Sequence, residues 1–73
     1  MGYTDALATS LRVERAKRHI DQKTVADGVG ITQTAVSQYE NGDRVPGIDT
    51  IVKLADFYGV SLDYLAGRRS VRS

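Results

Sequence analysis

Gln33, Thr34, Ser37 and Gln38 are four uncharged residues whose side chains each donate and accept hydrogen bonds. On a helix they share one face, because Val36 and Tyr39 take the inward positions between them. Such a face matches the donor and acceptor pattern of base-pair edges in the major groove. Gln33 is the foremost base-reading candidate, since a glutamine amide pairs with adenine N6 and N7 in a bidentate way; Thr34, Ser37 and Gln38 follow. A merely solvated face of this length would usually hold Glu or Lys, although an amide- and hydroxyl-rich face is also compatible with simple wetting.

The stretch from Gln22 to Gly42 is organised to present that face. Val25, Ala26 and Val29 recur at the three- and four-residue spacing of a buried helical stripe. Gly30 accepts the left-handed conformation that stops this helix, and Ile31 and Thr32 turn the chain. Thr32 is an N-cap for the second helix, and Asp21 is one for the first. Gln22 then sits at an exposed amino end, where backbone N–H groups can hold a phosphate and the glutamine adds donors. Gly28 departs from good helix design, costing about 1 kcal/mol relative to Ala, so either a neighbour packs closely there or the helix is soft.

Gln22, Ala26, Gly30, Ile31, Val36, Glu40-Asn41-Gly42 and Pro46, continued by Ser61-Leu62-Asp63-Tyr64-Leu65, resemble the lambda-repressor-like helix-turn-helix family (Cro and repressor, or xenobiotic-response-element type). The resemblance covers nearly the whole chain. It implies an all-α fold of five helices, with a helix-turn-helix at about 22–41, and a sequence-specific regulator of transcription, a repressor by preference, that binds double-stranded DNA. It also implies phosphate contacts in the loop after the reading helix, which nominates Asn41 and Arg44, and an ion pair between Arg15 and Glu40. The sequence departs from the family at three places. His19 stands where a helix-ending glycine is common, Asp43 where a basic or neutral residue is common, and Gly47 where a capping serine is usual.

The ion pair has a physical motive as well. Thr4 or Asp5 is expected to cap a first helix running to about Arg18, on which Leu7, Leu11 and Arg15 share one stripe. An arginine on a core-facing stripe needs a carboxylate, and Glu40 is the candidate; the alternative is that Arg15 snorkels to solvent or to a phosphate. His19 reads as a helix-ending residue that tolerates positive φ. Pro46 opens a fourth helix, Ile48 to Tyr58, with Ile48, Ile51, Val52, Leu54, Ala55 and Tyr58 as its apolar face. Phe57 lies off that stripe, and a surface for a second subunit is expected around the loop before this helix and the Phe57 to Leu62 region, where Phe57, Val60 and Leu62 would form an exposed patch. Gly59 ends the helix, Ser61 caps a final turn, and Leu62 and Leu65 close the core. Residues 1–67 are read as the domain and 68–73 as a flexible basic tail.

Composition bounds the reading. A chain of 73 residues buries only about 60% of its unfolded surface, which favours one small, regular domain. Cysteine is absent and His19 is the single histidine, so neither disulfides nor a metal site is expected. No apolar run nears the roughly 20 residues of a membrane span, and no signal peptide is visible. The expected setting is the cytoplasm of a prokaryote or of a phage's host. Net charge is only +1, yet Arg12, Arg15, Lys17, Arg18 and Lys23 cluster in the first third while acids dominate from Thr24 to Leu65, a polarity that would orient the domain on a polyanion. No acid, base and nucleophile constellation, Gly-rich phosphate loop or nucleophile elbow appears, so no enzyme, catalytic residue, cofactor or small-molecule ligand is expected. Because one reading helix spans few base pairs, a homodimer on an imperfect palindrome is expected. The rival is a protein-interaction module, antitoxin-like or adaptor, on the same fold.

Overall fold

The computed structural model describes residues 3–67, with side chains from Asp5 onward. Among the described residues the chain forms five helices, α1 (Tyr3–Lys17), α2 (Gln22–Val29), α3 (Gln33–Asn41), α4 (Ile48–Tyr58) and α5 (Leu62–Leu65). The basic tail, 68–73, lies outside the described residues. α1 packs on α3 and α5, and α2 on α3 and α4, so α1 and α2 support α3 from two sides.

The stops and starts follow from local chemistry. Asp21 Oδ1 accepts from the Thr24 amide at 2.8 Å, and Thr32 Oγ1 from the Ala35 amide at 3.0 Å, each satisfying an orphan donor of a first turn. Gly30 at φ 85° ends α2, and its amide and that of Ile31 both donate to the Ala26 carbonyl. His19, at φ 55°, is the non-glycine residue in the left-handed region among those described. α1 differs from expectation at its start. It already includes Thr4 and Asp5, so neither caps it; Asp5 lies in the first turn, where the helix dipole still favours a carboxylate.

Leu7, Leu11, Val25, Ala26, Val29, Val36, Tyr39, Ile51, Leu54, Ala55, Tyr58 and Leu65 form the core. Four expectations about apolar residues need correction. Ile48 is 70% exposed and Val52 also lies outside the core, because α4 turns the Ile51, Leu54, Ala55 and Tyr58 stripe inward and Ile48 and Val52 stand on its flank. Leu62 is exposed while Leu65, nearly a turn further, is fully buried. Phe57 is half-buried and packs on the core. A Cβ on Gly28 would lie 2.3 Å from Phe57 Cε1, so Gly28 is there because the ring edge occupies the space of a side chain.

Candidate nucleic-acid interface

α3 is amphipathic in the sense the sequence implied. Val36, Tyr39 and Glu40 are buried; Gln33 and Thr34 are exposed, and Ser37 and Gln38 are half-buried beside them. Asn41 Nδ2 donates to Ser37 Oγ at 3.4 Å, a long contact that ties the end of the helix to its middle. Gly42, at φ 79°, reverses the chain. The amides of Asp43 and Arg44 then both donate to the Gln38 carbonyl, at 2.9 and 3.3 Å. This fold-back brings Arg44 Nη1 to 3.4 Å from Gln38 Oε1. Gln33, Thr34, Ser37, Gln38 and Asn41 therefore run along the outer face of α3, and Arg44 joins that face at Gln38.

Behind that face sits Glu40, whose side chain is 3% exposed. Arg15 grips it in a bidentate fork, Nε to Oε2 at 2.8 Å and Nη2 to Oε1 at 2.9 Å, while Arg15 Nη1 donates to the Ile20 carbonyl at 3.2 Å. The hydrogen bond to Glu40 raises the pKa of Arg15 above its ordinary value, against the opposing effect of burial. Arg12 Nη1 donates to the Glu40 carbonyl, near the negative end of the α3 dipole.

Gln22 is placed differently from a free phosphate donor. Its Nε2 donates one hydrogen to Glu40 Oε1 at 3.1 Å, which ties the amide to the Glu40 cluster and leaves its second N–H beside the backbone N–H groups at the amino end of α2. Asp21 stands at that same end, its pKa lowered chiefly by the hydrogen bond from the Thr24 hydroxyl, and this fixed carboxylate opposes an incoming anion.

The basic cluster of the first third is also more inward than its composition suggested. Arg12, Arg15, Lys17 and Arg18 are engaged with Glu40 and Glu14, and Lys23 pairs with Asp27 at 2.9 Å. Glu40, Glu14 and Asp27 thus offset part of this charge, while Arg12 meets the Glu40 carbonyl and the Thr9 hydroxyl, so the field sent toward a polyanion is reduced.

Glu14 went unrecognised in the sequence. It is 1% exposed. It accepts from Tyr64 Oη at 2.6 Å, Arg18 Nη1 at 2.7 Å and Lys17 Nζ at 3.2 Å. The Tyr64 hydrogen bond most of all, with Arg18 and Lys17 behind it, overrides burial and lowers its pKa to about 2. Arg18 continues to the Tyr58 carbonyl and lies 4.9 Å over the Tyr58 ring. Burial pushes the Tyr58 phenol up to about 12. The spacing of Glu14, Lys17 and Arg18 at three and four residues was the available signal.

Among the described residues no group of three or more His, Cys, Asp or Glu lies together to hold a metal, and no helix is long and apolar enough to cross a membrane.

The chain is similar to the HTH-type transcriptional regulator ImmR of Bacillus subtilis, 38% identical over 66 residues, covering 90% of this chain and 52% of that protein. It is 36% identical over 55 residues to the cryptic phage CTXphi transcriptional repressor RstR of Vibrio cholerae, covering 75% of this chain and 50% of that protein. The chain thus spans about half the length of these relatives. In structure it is similar to the P22 c2 repressor protein crystallised with synthetic operator 9T, with TM-score 0.82, 27% identity, and coverage of 86% of this chain and 96% of that one. The helix-turn-helix family profile matches residues 11–65. With that match on an all-α domain that carries its α2–turn–α3 unit over a buried Arg15–Glu40 pair, the chain belongs to the lambda-repressor-like helix-turn-helix family.

Proposed function

We propose that this chain is the DNA-binding domain of a sequence-specific transcriptional regulator, a repressor, acting in the cytoplasm on double-stranded DNA without a catalytic step. The observation that carries this is the uncharged, hydrogen-bonding outer face of α3 held rigidly over the buried Glu40 cluster. The names of the similar proteins and the operator complex of the P22 c2 repressor agree with it. In this reading the first turns of α3 enter the major groove, with Gln33 and Thr34 foremost and Ser37 and Gln38 behind. Asn41 and Arg44 contact phosphate, joined by the backbone amides at the start of α2 around Gln22. This is the docking geometry of helix-turn-helix proteins of the same family.

The domain would act as a homodimer on an imperfect palindrome, since two copies related by a two-fold axis reach groove faces about 34 Å apart. Val45, Ile48 and Val52, all exposed, support a dimer surface at the start of α4 better than the half-buried Phe57 does. The same apolar patch is the observation that favours the rival reading, a module that holds another protein.

Gln33→Ala separates the two. It should weaken binding to the cognate site by about 1 to 3 kcal/mol and leave binding to random duplex nearly unchanged, because a base-edge contact exists only where the base fits. Titration of both duplexes at several salt concentrations measures it. Equal affinity of the unmodified chain for every duplex would decide for the module.

A further inference from the structure

Resting on the DNA-reading assignment above, we propose that Arg44 is a positioning residue that sets which base Gln38 reads, turning the Gln38 amide so that its NH2 group selects guanine over adenine. The loop after α3 is folded onto Gln38 twice over. The amides of Asp43 and Arg44 hold the Gln38 carbonyl, and the Arg44 side chain then lies against the Gln38 side chain at 3.4 Å. A guanidinium only donates, so the amide atom facing Arg44 must be the oxygen. Nε2 is left as the outward end, with no hydrogen bond to it among the described residues.

That orientation has a consequence for base choice. Bidentate reading of adenine needs both ends of the amide, the oxygen to accept from N6–H and the nitrogen to donate to N7. An oxygen held by Arg44 is poorly placed for N6–H, whereas the two hydrogens on Nε2 match the adjacent acceptors O6 and N7 of guanine. Gln33 gives the contrast within the same helix. It is exposed and has no hydrogen bond among the described residues, so its amide turns either way and remains an adenine reader. The remaining nitrogens of Arg44 stay available to a phosphate, so a positioning role is compatible with a phosphate contact and distinct from it.

Selection from a random duplex pool, run with the 73-residue chain and with Gln38→Ala, Arg44→Ala and the double variant, tests this. The base position that loses its preference in Gln38→Ala identifies the partner of Gln38. There the unmodified chain should favour guanine over adenine by about fivefold or more, and Arg44→Ala should erase most of that ratio or invert it. The double variant should match Gln38→Ala at that position. Arg44→Met, which keeps most of the side-chain stem, serves if circular dichroism shows Arg44→Ala unfolded. An Arg44 variant that binds every base at that position more weakly but in the same ratio overturns the proposal and leaves the DNA-binding reading intact. So does a preference for adenine, or a Gln38→Ala variant with no altered position. A pool from which the unmodified chain enriches nothing overturns both.

Discussion

Glu14 and Glu40 are the two charged side chains buried among the described residues, and they are held in opposite ways. Glu40 takes its cation from a residue 25 positions away, a single arginine in a bidentate fork, with the Gln22 amide as a neutral second partner. Glu14 takes two cations from its own helix, Lys17 and Arg18, and a phenol from α5. The first joins α1, α2 and α3 behind the outer face of α3; the second joins α1 to α5 and, through Arg18, to the end of α4. Redundancy is the difference. Glu40 depends on one charge, and Glu14 on none in particular.

The largest effect should therefore come from Arg15→Ala, which leaves Glu40 buried without a cation. A cost of about 3 to 5 kcal/mol is expected for a buried pair, toward the lower figure because the arginine side chain is 26% exposed. Arg18→Ala should cost only about 1 to 2 kcal/mol, since Tyr64 and Lys17 still serve Glu14. Urea unfolding of both variants measures the contrast, and equal losses would break it.

Acid should find Glu14 next. Its pKa is about 2 in the folded chain against an ordinary 4.5, so the unfolded chain takes up the proton first. The stability this supplies, on the order of 3 kcal/mol, is fully present above about pH 5 and is lost as pH falls through 4.5 toward 2. Urea midpoints followed from pH 6 to about pH 2.5 should fall steeply in the unmodified chain, and Glu14→Gln should flatten part of that slope. An unchanged slope in the variant would remove Glu14 from the account.

How legible these two sites were differs for a physical reason. The helix starts at Gln22, Gln33 and Leu62, and the stops at Gly30, Gly42 and Gly59, follow from capping chemistry local to a few residues, and the sequence states them openly. Arg15 announced its need for a carboxylate because a charge on an apolar stripe requires one, and the family resemblance pointed to Glu40. Glu14 has its cations within one helical turn, which reads in sequence as an ordinary solvated pair. The Tyr64 hydrogen bond that distinguishes it comes from α5, 50 positions on. Gly28 is similar, since the Phe57 ring that excludes a side chain comes from α4, 29 positions on. The composition of the outer α3 face was fully visible, but the coupling of Gln38 to Arg44 and of Gln22 to Glu40 was not, because both depend on side chains meeting across a turn or between helices.

The neutral donors sharpen the comparison at a smaller scale. Gln22→Ala removes one donor from Glu40, and Tyr64→Phe removes one from Glu14; each should cost about 1.5 to 2 kcal/mol, the low end of the range for hydrogen bonds to charged groups. They should differ in acid. Tyr64 is the chief cause of the depressed Glu14 pKa, so Tyr64→Phe should raise that pKa and move the acid-induced loss of stability to higher pH, whereas Gln22→Ala should leave the Glu14 contribution where it is. Titration of the Glu14 carboxyl by NMR in both variants distinguishes them.

The smallest effect belongs to Lys17. Its ammonium lies 3.2 Å from Glu14 Oε2, but the lysine side chain is 62% exposed, so water and salt screen the attraction and the flexible stem loses entropy when it is held. Lys17→Ala should change stability by no more than about 0.5 kcal/mol, and less as salt is raised. Arg18 makes the opposite case from the next residue. Its side chain is only 35% exposed, its guanidinium lies closer at 2.7 Å, and it reaches both the Tyr58 ring and the Tyr58 carbonyl. A Lys17→Ala variant as damaged as Arg18→Ala would mean that Glu14 depends on total positive charge nearby. The expected gap between the two would mean instead that the larger loss at Arg18 comes from its contacts to Tyr58 at the end of α4, with Glu14 still served by Tyr64 and the remaining cation.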